Sequence, residues 1–74
     1  MLDLDIFLNE TKSIVPLELL QLRGQGYTLQ RKGKIEPQNI GHAYLFDPND
    51  KCIGEVYLNG SGPQAKYVYK GRTD

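Results

Sequence analysis

Gly41-His42-Ala43-Tyr44-Leu45-Phe46-Asp47-Pro48-Asn49-Asp50-Lys51-Cys52-Ile53-Gly54-Glu55-Val56-Tyr57-Leu58 is the stretch on which the fold turns. Two apolar, aromatic-rich runs flank Asp47-Pro48-Asn49-Asp50. Pro48 presets φ, and the short polar side chains of Asp47, Asn49 and Asp50 satisfy turn backbone. The pattern predicts an antiparallel hairpin over residues 43 to 58 that turns at 47 to 50.

Toward the C-terminus, Asn59-Gly60-Ser61-Gly62-Pro63 reads as a second turn and Ala65-Lys66-Tyr67-Val68-Tyr69-Lys70 as the last strand, with Gly71 to Asp74 frayed. Toward the N-terminus, Lys34 to Ile40 is a polar loop in which Pro37 argues against continuous pairing. Before it, Tyr27-Thr28-Leu29-Gln30-Arg31-Lys32 alternates as a strand with Tyr27, Leu29 and Arg31 on one face, and Gly33 ends it.

A helix is expected from about residue 16 to residue 23. Ser13 is placed to cap it, Pro16 fits its first turn, Leu17, Leu19, Leu20 and Leu22 supply an apolar stripe, and Gly24 and Gly26 stop it. Residues 1 to 9 fit two patterns. Leu2, Leu4, Ile6 and Leu8 alternate as a half-buried strand would, while Met1, Leu4, Phe7, Leu8 and Thr11 share one side of a helix whose start Asp3 and Asp5 would complement. Phe7 breaks the alternation and the unbranched leucines favour helix, so helix is the expectation.

The fold class that follows is α+β: one or two short N-terminal helices packed on a four-stranded, mostly antiparallel β-meander, as a single domain over residues 1 to 74. A chain this short buries roughly 60% of its unfolded surface and cannot divide that between two cores.

Nine basic and nine acidic side chains cancel, which disfavours tight nucleic-acid binding driven by counterion release. The charges come in blocks: acidic before Arg23, basic over Arg23, Arg31, Lys32 and Lys34, acidic again to Glu55, and basic at Lys66, Lys70 and Arg72. If the two basic blocks meet, one face becomes locally positive. Cys52 is the one cysteine, so no internal disulfide can form and a reducing compartment is favoured. The start Met1-Leu2-Asp3-Leu4-Asp5 is unlike a signal peptide or membrane span, and a cytoplasmic protein is expected.

Reactive chemistry is hard to assemble from these residues. His42 and Cys52 are the one histidine and the one cysteine; position 52 pairs near 45 or 46, several residues along the ladder from His42, so the two should not touch. They cannot supply the ligands of a zinc site, and Asp47-Pro48-Asn49-Asp50 lacks the spaced acids of a calcium loop. Gly24-Gln25-Gly26 and Gly60-Ser61-Gly62 match no phosphate loop. No catalytic residue, metal or cofactor is expected from these patterns.

The aromatic pattern remains. Tyr27, Tyr44, Phe46, Tyr57, Tyr67 and Tyr69 fall on expected strands with cations close by. Such a surface suits a protein partner, for which tyrosines are anchors and a sheet edge can accept a strand. It also suits single-stranded nucleic acid, whose bases stack on sheet aromatics while lysines hold phosphate. The plainer account is that half of these rings fill the core and the rest are cross-strand packing pairs.

The run Leu19-Leu20 through Gly26-Tyr27-Thr28-Leu29-Gln30-Arg31-Lys32-Gly33, followed by Gly41-His42-Ala43-Tyr44 and a hairpin, resembles the short helix, strand and histidine-bearing strand of HicA-type mRNA interferase toxins. The resemblance covers roughly residues 17 to 58 and implies ribonuclease activity with His42 as the catalytic residue. That family carries a tight Gly-Ser-His-His connection and a C-terminal helix, whereas this chain interposes Lys34 to Ile40 and its last expected element is a strand.

The expectation drawn from the residues themselves is a small non-enzymatic protein-binding module, an inhibitor, adaptor or regulatory subunit of the kind often encoded by phages and mobile elements. Its binding residues are Tyr44, Tyr57, Tyr67, Tyr69, Arg31 and Lys66. A protein partner comes first, nucleic acid second, and no membrane or small-molecule cofactor is expected.

Overall fold

The computed structural model describes residues 2–30, 41–60 and 64–72. Its elements are β1 (Leu2–Asp3), α1 (Leu4–Glu10), α2 (Leu17–Leu20), β2 (Thr28–Gln30), β3 (His42–Phe46), β4 (Cys52–Asn59) and β5 (Lys66–Gly71). The five strands form one sheet in the order β1-β2-β3-β4-β5, every neighbouring pair antiparallel. The α+β class holds, with five strands where four were expected.

The extra strand comes from the ambiguous N-terminus, which uses both of its patterns in turn. Asp3 stays extended at φ −66°, ψ 134°, and its Oδ1 accepts from Asp5 N–H at 2.8 Å, which caps α1. The residues up to the cap therefore remain extended, and Leu2 and Asp3 pair with Leu29 and Thr28. Beyond the cap, Leu4, Phe7 and Leu8 recur at helical spacing and are all buried. Asp5 has a second tie, since its Oδ1 accepts from Gly24 N–H at 2.9 Å.

Helix α2 is shorter than the expected span. Pro16 is itself the N-cap, with no side-chain capping bond, and the Ser13 amide donates back to Thr11 Oγ1 at 3.3 Å, so the cap assigned to Ser13 is corrected. After Leu20 the chain continues in tighter turns, with Leu22, Arg23 and Gln25 donating to Leu19, Leu20 and Leu22. Gly24 then takes φ +80°, which side chains disfavour, and the chain leaves for β2.

Between the helices the chain reaches the far side of the sheet. Ile14 forms a parallel bridge with Lys66, its carbonyl accepting from Tyr67 N–H at 2.8 Å. Residues 2 to 16 thus start at one edge of the sheet and end at the other, which lays α1 against one face. The core lies there: Leu4, Phe7, Leu8 and Leu19 from the helices meet Leu29, Ala43, Leu45, Val56 and Tyr67 from the strands. Phe7 and Tyr67 pack edge to face, ring centroids 5.0 Å apart at 83°, an arrangement that adds about 0.5–1.5 kcal/mol to burial alone.

The hairpin forms where the sequence places it, with β3 and β4 joined through Asp47 to Lys51. Asp47 N–H donates to the Lys51 carbonyl and Asp50 N–H to the Asp47 carbonyl, both at 2.9 Å, and Asp50 adopts φ 67°. Asp47 Oδ1 accepts from the amides of Asn49 and Lys51, both at 2.9 Å. This is a three-residue loop closed by a left-handed residue, with aspartate supplying the local bonds that stabilise it. A bulge between Leu45 and Phe46 then shifts the register, so that Phe46 faces Cys52 while Leu45 faces Gly54.

Gly71 belongs to β5, and Arg72 N–H donates to the Ile53 carbonyl at 3.0 Å, so ordered pairing extends two residues into the expected frayed end. Thr73 and Asp74 lie outside the described residues, as do the loop Lys34 to Ile40, the end of the expected strand at Arg31 and Lys32, and Ser61 to Pro63 of the second turn.

Candidate functional site

The register of β3, β4 and β5 decides which side chains share the face opposite the helices. Ala43 and Leu45 point to the core, so His42 and Tyr44 point away from it. Across the ladder, His42 lies opposite Tyr57 and Tyr57 opposite Val68; Tyr44 lies opposite Glu55 and Glu55 opposite Lys70. Two parallel rows therefore cross three strands, one of His42, Tyr57 and Val68, the other of Tyr44, Glu55 and Lys70.

His42 meets side chains of both rows. His42 Nε2 is 3.5 Å from Glu55 Oε2, and its ring centroid is 5.3 Å from that of Tyr44 and 6.5 Å from that of Tyr57. Tyr44 and Tyr57 remain 41% and 36% exposed, the two tyrosines among the large exposed apolar and aromatic side chains. At the end of the second row, Glu55, Lys70, Gly71 and Arg72 line a depression of about 200 Å³. No described helix contributes to this face, since the helical core residues all pack on the other one.

The expected binding residues divide between the two faces. Tyr44 and Tyr57 come together around His42, and Lys66 is exposed beside Asn59 at the margin of the same face. Tyr67 is 3% exposed and belongs to the core, and Tyr69 packs against that core. Tyr67 is corrected as a surface residue, because strand alternation that turns Lys66 and Lys70 outward turns Tyr67 and Tyr69 inward; Tyr69 is only half-buried there. Arg31 lies outside the described residues.

Tyr69 has a structural task of its own. Its ring covers Gly54, where an added Cβ would come within 2.6 Å of Tyr69 Cε1 and 2.7 Å of the Lys70 carbonyl oxygen. Its hydroxyl donates to the Ile53 carbonyl at 3.3 Å. Burial pushes the Tyr69 phenol above its ordinary pKa, and the neighbouring Tyr27, Cys52 and Glu18 add to the rise.

Two members of the site escaped the sequence reading as binding residues. His42 entered the sequence reading as the one histidine and as the catalytic residue the toxin resemblance implies, and Glu55 only as the end of an acidic block. Their meeting depends on the bulge, which sets residue 42 opposite 57 and residue 44 opposite 55. Chemically the arrangement offers two phenol rings, an imidazole beside a carboxylate, and lysines at the margin. His42 and Cys52 lie at opposite ends of β3 and β4, as the hairpin count required. Among the described residues, no three of the His, Cys, Asp and Glu side chains gather as metal ligands.

No family model matches the chain, and neither the curated proteins nor the solved structures contain a match.

Proposed function

We propose that this chain is a small non-enzymatic protein-binding module, an inhibitor, adaptor or regulatory subunit, that engages its partner through the face carrying Tyr44, Tyr57 and His42. The observation that carries this reading is the pair of exposed tyrosines flanking one imidazole on a sheet face against which no described helix packs. Tyrosine offers large contact area with few torsions to freeze, and such anchors dominate protein interfaces. Glu55 supports a protein over a polyanion, because it places a carboxylate between Tyr44 and Lys70 where a phosphate would have to pass. The free thiol of Cys52 fits a reducing, cytoplasmic setting. Among the described residues no helix is long and apolar enough to cross a membrane.

The contact of His42 with Glu55 favours a second reading, single-stranded nucleic acid held or cleaved on the same face, as the resemblance to mRNA interferase toxins implies. Tagged wild-type protein and a Tyr44→Ala/Tyr57→Ala variant, captured from the native host and compared by mass spectrometry, test the first reading. A protein retained by the wild type and lost by the variant, whose melting point is unchanged, supports it; equal capture by both sinks it. A salt titration against single-stranded RNA tests the second, since phosphate contacts predict a steep loss of affinity and a protein interface predicts little.

A further inference from the structure

Among the described residues the outer edge of β5 is only partly closed. Tyr67 N–H points away from β4 and donates to Ile14, whereas Arg72 N–H points back to β4 and the Ile53 carbonyl. Alternation along the strand then turns the amides and carbonyls of Tyr69 and Gly71 outward with Tyr67. Among the described residues Ile14 alone bonds to this edge, because Pro16 starts α2 two residues later and carries the chain away. An unpaired strand edge of this kind is a template for one more strand.

What the edge would accept is written in its side chains. Lys66 and Lys70 stand exposed on β5, and neither has an ion-pair partner among the described residues, since the Glu55 carboxylate opposite Lys70 goes to His42. A second copy aligned antiparallel on β5 would set these lysines against their own counterparts, so like charge opposes self-pairing. Charge complementarity instead selects acidic side chains for the row that lines up with Lys70. On the other face, Gly71 presents no side chain, and an added Cβ there would meet only Tyr69 Oη at 3.8 Å, which leaves room for an incoming side chain to lie against Tyr69.

We propose that the outer edge of β5, from Val68 to Gly71, accepts an extended acidic segment of a partner protein as a sixth strand. The proposal rests on the protein-binding reading and adds to the tyrosine face a second contact that reads backbone and charge. The segment alternates acidic residues, which meet Lys66 and Lys70, with apolar residues, which pack on the side of Tyr69.

The test uses a synthetic peptide of alternating valine and aspartate, a matching peptide with lysine for aspartate, and isotope-labelled full-length protein. The aspartate peptide is expected to shift and protect the Tyr69 and Gly71 amides and to bind about tenfold more tightly than the lysine peptide. Gly71→Pro removes an outward donor while leaving the bonds to β4 in place, and should weaken aspartate-peptide binding about tenfold. Should Gly71→Pro fail to fold, Lys70→Glu serves, and it should reverse the preference between the two peptides. No aspartate-peptide binding, amide shifts confined to residues 42 to 57, or equal affinity for both peptides overturns the proposal. A host protein lost by the Tyr44→Ala/Tyr57→Ala variant but retained by Gly71→Pro overturns it too while leaving the protein-binding reading intact; no host protein captured by the wild type removes the reading on which it rests.

Discussion

Tyr57 on β4 and Tyr67 on β5 belong to neighbouring strands of one sheet, yet the first is 36% exposed and the second 3%. Tyr67 meets Phe7 edge to face under the helices, and its burial helps hold α1 to the sheet. Tyr57 lies on the opposite face, with the His42 ring 6.5 Å away. Residue type does not separate them; the side of the pleat does. One face of this sheet is packed under the helices and the other, among the described residues, carries no helix, and substitutions on the two faces probe that division.

The largest expected effect is Tyr67→Ala, which opens a cavity beneath α1 and should cost about 3–5 kcal/mol, enough to unfold much of a domain this small. Tyr57→Ala should change stability by no more than about 0.5 kcal/mol, as surface positions generally do. Urea unfolding of both variants checks the pair. Similar losses from the two would mean that both faces of the sheet are packed.

Gly54→Ala comes next. Its methyl group would press on the Tyr69 ring and on the Lys70 carbonyl oxygen, and the second of these is backbone that can move only by bending β5. Overpacking of this kind should cost about 1–3 kcal/mol. Combined with Tyr69→Leu the loss should be less than additive, because one of the two obstacles is then removed. Full additivity in a double-mutant cycle would show that Tyr69 does not cover Gly54.

This packing also marks how far the residues alone could lead. The hairpin was legible because proline and aspartate at 47 to 50 have local preferences that hold without tertiary help. The loop pairs residue 47 with 51 and residue 46 with 52, and continuing that count would set 42 opposite 56 and 44 opposite 54. The bulge adds one residue on β4 and moves Glu55 and Tyr57 onto the face of Tyr44 and His42. Nothing in the one-dimensional pattern announces that residue. The fifth strand was hidden for a related reason: Leu2 and Asp3 pair only because β2 presents them an edge, and two residues carry no periodicity. Alternation at Lys66 to Lys70 did separate the lysines from the tyrosines, but the direction of the core had to come from the helices that cover it.

Tyr69→Phe is expected to cost about 0.5–1.5 kcal/mol through the lost bond to the Ile53 carbonyl. It also has a pH signature. The folded protein raises the Tyr69 pKa above its ordinary 10.0, so the folded state holds the phenolic proton more firmly than the unfolded chain does. Stability from this source is complete below pH 10.0 and is lost as pH rises through the folded value. Unfolding curves at increasing alkalinity should therefore fall more steeply for the wild type than for Tyr69→Phe. Parallel curves would mean that the phenol is as solvated in the folded state as in the unfolded one, and that the packed face opens at this end of β5.

The smallest effect is expected from His42→Ala, and it sharpens the comparison from the open side. The imidazole side chain is 52% exposed and its Glu55 partner 42%, so solvent screens their 3.5 Å contact and the stability change should stay within about 0.5 kcal/mol. As a contact surface, the face loses little when His42 goes, because Tyr44 and Tyr57 supply most of its apolar area; captured-partner binding should fall far less than in Tyr44→Ala/Tyr57→Ala. As a reactive surface, the same face would depend on His42 for proton transfer, with Glu55 positioned to orient it. Wild-type protein and His42→Ala incubated with a fluorophore-labelled single-stranded RNA separate these outcomes. Cleavage by the wild type that disappears in a folded His42→Ala variant would move the open face from recognition to chemistry, and absence of cleavage by both counts against the toxin-like reading and leaves the proposed tyrosine contact to be decided by partner capture.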